Sequence, residues 1–494
     1  MDAQDGFCNF KLLFCNINLR PKRVDYAASR EKGKKMNAKA WRLYGAKDMR
    51  LEDVELEGAG ADGVVLEIVT NTICLSDYKA VALGTGHKRV PRDIATNPTM
   101  FGHEVAGIVR EVGPKWAGQF SVGQRVGIQP AFNIPGHELE TMGYAWHSIG
   151  GETTHVYLPS VIMEMGCLLP YDGDAFFKCS LAEPISCIVS AFRSNYHHPF
   201  GSHVHEMGIA DGGTMLLLAG CGAMGLGCID IACHSPEKRP RRLVVTDIDD
   251  ARLARAARMF GVSGNGAAGV VARGTVNGVD LVFVNTRGVE DPVRYLKSFN
   301  LADNADAANP TSTGGGYDDI FLFAAVPALI TQCSDLLGFG GCLNFFAGPT
   351  DQKRSAPFSV YNVHYMNHHV VANSGGDVKD MADSVEWIGK GYLHPEVMIT
   401  HVGGLPSAAQ ATLDLTTVPG GKRLVYTHVD LPMVAIDDFA AKGKDDPFYA
   451  ELARLCAANN GLWCKAAEDY LLAHAPKISI GAPKEKIVER KIVI

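Results

Sequence analysis

The stretch "LLLAGCGAMGLG", residues 216–227, decides the fold. An apolar run enters a turn in which Gly220, Gly222 and Gly225 keep GxGxxG spacing, and apolar residues resume beyond it. A buried strand, a turn and a helix follow from that order. The first glycine is expected to permit a tight turn, the second to let backbone approach a pyrophosphate, and the third to let helix and strand pack closely. Gly220, Gly222, Ala223, Met224 and Gly225 are therefore the expected cofactor-binding turn. The next apolar run, "RLVVTDI", ends at Asp247, where a carboxylate can accept hydrogen bonds from an adenosine ribose. Its charge opposes a 2′-phosphate, so NAD(H) is favoured. Arg252 and the cluster Lys238, Arg239, Arg241 and Arg242, all close in sequence, keep NADP(H) possible.

Outward from this turn, residues 186–376 alternate apolar strands with helical stretches, among them "DDARLARAARMFG", "VDLVFVN", "DIFLFAA", "ALITQCSDLL" and "GGCLNFFAG". Such alternation predicts a parallel sheet with crossover helices. Residues 300–316, "NLADNADAANPTSTGGG", read as a long loop. Residues 36–185 instead carry short β-like runs broken by glycine and proline, which predicts an irregular β domain. Residues 377–430, with a helix at "DMADSVEWIGKG" and a strand at "GGKRLVYT", are expected to return and close it. In residues 431–494, "DPFYAELARLCAANNGLWCKAAEDYLLAHA" predicts two amphipathic helices that pack on the protein or contact a subunit. The final "IVERKIVI" reads as an edge strand or a mobile tail.

Composition narrows the function class. The chain has 494 residues, 47% hydrophobic and 20% charged, which fits an ordinary soluble protein of two or three domains. Its net charge of −7 and lack of a long basic run argue against a nucleic-acid binder. "MLLLAGCGAMGLGCIDIAC" (215–233) holds several glycines and Asp230, so it reads as strand, turn and helix and not as a membrane span. Thirteen cysteines without a CxxC pair suit a reducing compartment, and the cytoplasm is expected. "GFCNFKLLFCNINL", in residues 1–35, lacks the features of a signal peptide. Because "SREKGKK" is encodable by purine-rich codons, as a ribosome-binding site is, Met36 is the expected native start.

Three separated segments offer metal donors. "NTICLSDYKA" supplies Cys74, "MFGHEVAGIVREVG" supplies His103 and Glu104, and "SLAEPISCIV" supplies Glu183 at the domain junction. A thiolate, an imidazole and a carboxylate form a mixed set suited to Zn²⁺ with a position open for water or substrate.

With Cys-x-Ser-Asp, Gly-His-Glu, Glu-Pro and the glycine turn in that order, the chain resembles the zinc-dependent medium-chain dehydrogenase/reductase family over about residues 36–430. The resemblance is to its polyol dehydrogenase branch. It implies a GroES-like β domain joined to a Rossmann doubly wound parallel sheet, and a homo-oligomer, dimer or tetramer. It also implies that Cys74 and His103 are zinc ligands, that Glu183 is the junction carboxylate, and that Glu104 is a direct ligand or trades places with water. Ser76 then relays the substrate proton and Asp77 orients His103. Many relatives carry a four-cysteine lobe for a structural zinc, but no cysteine lies between Gly107 and Gly166. One catalytic zinc and no structural zinc are expected, with His137, His147 and His155 as surface or packing residues.

"HKRVP", "GGCLNFFAGP", "YNVHY" and "ITHVGGL" are similar to the L-sorbose-1-phosphate reductase group of that family. This implies reduction of a ketose phosphate to a hexitol phosphate, with Lys88 and Arg89 as candidate phosphate partners. A dehydrogenase of an unphosphorylated polyol or other secondary alcohol, of the sorbitol or threonine type, is the alternative. A catalytically silent dinucleotide-binding protein is a further one, opposed by the intact Ser76 and Asp77. A zinc-free quinone reductase should lack Cys74 and Glu183.

Overall fold

The computed structural model describes residues 33–199, 201–264, 269–300, 315–349, 351, 353–483 and 485–486. Residues 1–32 of the segment ahead of Met36, most of the 300–316 loop and "IVERKIVI" thus lie outside the described residues.

The strand Thr214–Leu218 is buried along its whole length at the centre of a seven-stranded sheet. In spatial order the strands are Val270–Val276, Val279–Asn285, Arg242–Asp247, Thr214–Leu218, Tyr317–Leu322, Leu337–Asn344 and His369–Val371. The last six run parallel. Helices on both faces bury the strands, which is why they are almost continuously apolar. Chain order reverses beside the central strand, and in such sheets the ligand crevice opens there, at the carboxyl ends. The first strand, Val270–Val276, is antiparallel to its neighbour, which the alternation did not predict. Its signal was Asn277-Gly278, whose φ values of 46° and 87° make the tight hairpin that this dipeptide favours.

Residues on either side of this unit share one eight-stranded sheet, in which Val64–Ile73 pairs with both Glu104–Val112 and His155–Leu158. The returning strand Lys422–Tyr426 lies antiparallel to Val64–Ile73, so "GGKRLVYT" closes the β domain as expected. The helices Pro447–Ala457 and Lys465–His474 then pack on the chain's own core. Trp463 is fully buried and donates from Nε1 to Tyr426 Oη at 2.8 Å. Buried Glu468 accepts the backbone N–H groups of Phe176 and Phe177 at 2.9 and 3.0 Å and the Tyr426 hydroxyl at 2.9 Å. Among the described residues no helix is long and apolar enough to cross a membrane.

Candidate active site

Cys74 sits where the strand Val64–Ile73 ends and the helix Leu75–Leu83 begins, at the N-cap in extended conformation. Asp77, one turn into that helix, returns Oδ2 to the Cys74 backbone N–H at 3.0 Å. Its Oδ1 accepts from His103 Nδ1 at 2.8 Å. A proton held on Nδ1 leaves the Nε2 lone pair free for a cation. Burial lowers the proton affinity of His103, but Asp77 and Cys74 outweigh it and hold the ring well above the usual histidine value. The same charges favour any positive partner.

Glu104 opens the strand Glu104–Val112 and stands opposite Thr72 in register. It is fully buried, accepts the Thr72 hydroxyl, and pairs with the ammonium of Lys422. Burial pulls the Lys422 pKa down, while Glu104, Cys74 and Glu183 together raise it above the ordinary lysine value. The donor atoms of Cys74, His103 and Glu104 all lie within 4.8 Å of one another. That thiolate, imidazole and carboxylate set fits a zinc ion.

Glu183, at the start of the helix Ala182–Ser194, is buried beside this group but outside the converging trio. Cys187 Sγ lies 3.8 Å from its Oε1, and burial pushes its pKa up to about 7, with His103 opposing. Ser76 donates to Cys74 Sγ at 2.9 Å and stands 3.5 Å from His103 Nε2.

Sequence reading missed Lys422, Thr72 and Tyr144. The Tyr144 hydroxyl is 3.1 Å from His103 Nδ1, and it comes from the segment that stands where relatives have the cysteine lobe. Nothing in its spacing marks it. Lys422 and Arg423 heading the short strand Lys422–Tyr426, whose other residues are apolar or aromatic, were the available signal for Lys422. The Arg89 guanidinium lies 5.9 Å from the Tyr144 ring centre, with a buried Nε that has no hydrogen-bond partner. The His87 ring stacks on Tyr144 at 5.8 Å, and Lys88 is exposed.

Just ahead of the first glycine of the turn, Ala219 takes the left-handed conformation, at φ 58°. Gly220 is required for space, since a Cβ there would fall 2.8 Å from Leu217 Cβ and 2.9 Å from Val245 Cγ1. A Cβ on Gly225 would meet the Gly220 carbonyl oxygen at 2.1 Å, so helix and turn are in the predicted close contact. A Cβ on Gly222 would point into open space, at the N-cap of the helix Ala223–His234. Met224 packs on the core beside that N-cap.

Asp247 ends its strand with Oδ1 accepting the backbone N–H groups of Ile248 and Asp249. Arg252 is exposed nearby, and Arg287, which sequence reading passed over, donates to the Ile248 carbonyl at 2.8 Å. The basic cluster does not approach this end. Arg242 begins the strand that Asp247 ends, about 16 Å away at 3.3 Å per residue. It pairs with Asp280, while Lys238 and Arg239 hold backbone carbonyls. Closeness in sequence misled because an extended strand separates its two ends.

Of the three histidines set aside, His137 lies 3.6 Å from Glu140, and His147 is fully buried 3.8 Å from Asp93. His155 meets His428 edge-on at 5.3 Å, and the donor atoms of this pair and Glu67 lie within 4.8 Å of one another.

Comparison with known proteins places these features in context. Residues 60–165 match the alcohol dehydrogenase GroES-like domain. Mannitol-1-phosphate 5-dehydrogenase of Aliivibrio fischeri is 45% identical over 87% of this chain and 96% of its own length. L-sorbose 1-phosphate reductase of Klebsiella pneumoniae is 40% identical over 89% of this chain and 98% of its own. Among solved structures, an alcohol dehydrogenase from Thermotoga maritima aligns with TM-score 0.61 at 18% identity, covering 79% of this chain and all of that one. A zinc-binding dehydrogenase from Sinorhizobium meliloti bound to NADP aligns with TM-score 0.60 at 17% identity, covering 79% and 99%. These two likenesses concern the fold.

Proposed function

The chain belongs to the zinc-dependent medium-chain dehydrogenase/reductase family as an oxidoreductase of the polyol and sugar-phosphate type, and from that premise we propose that it reduces a ketose phosphate to a hexitol phosphate. In this reading Cys74 and His103, with Glu104 or Glu183, hold one catalytic zinc, and residues 107–166 hold no structural one. When bound, the ion supplies a Lewis acid toward the substrate oxygen and the nicotinamide supplies the hydride. Asp77 keeps His103 in one tautomer. Ser76, hydrogen-bonded to Cys74 Sγ, passes the proton to or from the reacting hydroxyl. The free N–H groups at Gly222, Ala223 and Met224 receive the pyrophosphate, while Asp247 receives the ribose and favours NAD(H). Residues 36–185 and 377–430 carry the metal and residues 186–376 the dinucleotide, in a cytoplasmic homodimer or homotetramer.

One observation carries the substrate assignment. Arg89 and His103 both lie beside the same aromatic residue, Tyr144, and Arg89 has a buried Nε that lacks a partner. A buried guanidinium N–H without an acceptor is costly, and a substrate phosphate would satisfy it through a two-pronged contact, with Lys88 adding charge from the rim. Turnover of L-sorbose 1-phosphate, mannitol 1-phosphate and their unphosphorylated parents, with NADH and NADPH separately, tests the reading. Phosphorylated substrates should win by at least tenfold in kcat/KM, and Arg89→Ala should erase the difference. Equal turnover of both classes would favour the polyol dehydrogenase alternative.

A further inference from the structure

Two more groups of donor atoms converge within 4.8 Å among the described residues. In one, Glu67, His155 and His428, the carboxylate is already held by the Arg110 guanidinium. The other comprises Asp230, His234 and His394.

Asp230 is fully buried in the helix Ala223–His234, whose sequence "AMGLGCIDIACH" is otherwise nearly all apolar before its last residue. A carboxylate there must be neutralised. Its Oδ1 lies 2.9 Å from His234 Nδ1, one turn along the same helix, and 3.5 Å from His394 Nδ1, which arrives from the returning chain. Its Oδ2 accepts the His394 backbone N–H at 2.7 Å, which fixes the carboxylate's orientation. Two donors on a tetrahedral zinc ion with bonds of about 2.0 Å sit roughly 3.3 Å apart. The observed separations bracket that value.

Access and charge also suit an ion. His394 is about half exposed (47%), so water and a cation can reach the group and a solvent ligand can complete it. Two residues on, half-buried Glu396 has a buried Oε2 without a partner, and its carboxyl feels the charges of both Asp230 and His394. Two imidazoles and a carboxylate are a borderline donor set, suited to Zn²⁺ above Ca²⁺ or Mg²⁺.

We propose that Asp230, His234 and His394 form a second, structural zinc site. It ties the far end of the dinucleotide-binding helix to the turn Pro395–Met398, which feeds the strand Ile399–Gly404 of the catalytic sheet. Binding exchanges the imidazole Nδ1 protons for the ion. This chain lacks the cysteine lobe, and the site would hold a structural metal elsewhere with nitrogen and oxygen donors. The proposal does not depend on the substrate.

The test is metal content and Zn²⁺ titration of the chelator-stripped full-length protein, followed by calorimetry and thermal melting. Wild type should bind two equivalents, each raising the melting temperature. The His234→Ala/His394→Ala double variant should bind one, with turnover retained, and Cys74→Ser should bind one that the double variant removes. His234→Gln, which keeps size and polarity, must also lose an equivalent. One equivalent in wild type, or the same number in wild type and both histidine variants, would overturn the site.

Discussion

Asp77 braces His103 from behind, accepting its Nδ1 proton at 2.8 Å while the other carboxylate oxygen holds the Cys74 backbone N–H at 3.0 Å. One side chain thus positions a thiolate and an imidazole that lie 29 residues apart in sequence. Asp77→Asn should keep the fold but present an amide whose oxygen cannot serve both groups. Zinc affinity should fall about 10- to 100-fold, as with other carboxylates behind metal-binding histidines. Competition against a chromophoric chelator measures this, and unchanged affinity would deny Asp77 its role.

Lys422 and Glu104 pair in the interior from strands of the two outer segments of the chain. Lys422→Met strands a buried carboxylate and should cost about 3–5 kcal/mol in urea unfolding. Adding Glu104→Gln should restore much of the loss, because the uncompensated charge goes with it. A double variant no more stable than the single one would contradict this.

Glu468 reaches back from the C-terminal helices to cap the helix Phe176–Ser180, which leads into the segment bearing Glu183. Glu468→Ala leaves two N–H groups and the Tyr426 hydroxyl without their acceptor, and should cost about 1–3 kcal/mol or more. Glu468→Gln, which keeps one acceptor oxygen, should cost less. Guanidinium denaturation curves distinguish the two.

How legible all this was depends on the length scale of the cause. The glycine turn, most of the strand and helix alternation and the donor residues are local patterns, and the structure brings Cys74, His103 and Glu104 together while leaving Glu183 outside the trio and turning one strand antiparallel. Lys422 is 318 positions from Glu104. No periodicity encodes such a pairing, which exists only once the returning strand docks on Val64–Ile73. Trp463 and Glu468 were legible as an amphipathic pattern, but not as part of the core, because a helix's apolar face does not name its partner. The left-handed Ala219 had no signal in the sequence, because alanine rarely adopts that conformation, whereas Gly220 leaves the space that Leu217 and Val245 fill.

Acid should destabilise the protein through histidines held neutral. Burial, then repulsion from His428, lowers the His155 pKa to about 4, with Glu67 opposing and Arg110 adding to the fall. Burial, then Arg423 and Arg255, does the same to His401 against Asp437 and Asp438. Between pH 6.5 and 4 the unfolded chain binds protons that the folded chain refuses. The stability is therefore present above pH 6.5 and lost as pH falls toward 4, by at most about 1.4 kcal/mol per pH unit for each histidine. Urea unfolding at pH 7.5, 5.5 and 4.5 checks the sign, and His155→Gln with His401→Gln should flatten the acid limb.

The central claim is that a thiolate, an imidazole and a carboxylate from distant parts of the chain share one ion. Anomalous scattering at the zinc edge, from crystals of the zinc-loaded protein, tests it most directly. The account predicts a peak bonded to Cys74 Sγ and His103 Nε2, with Glu104 or Glu183 completing the set. A zinc-loaded crystal with no peak between Cys74 and His103 would contradict it.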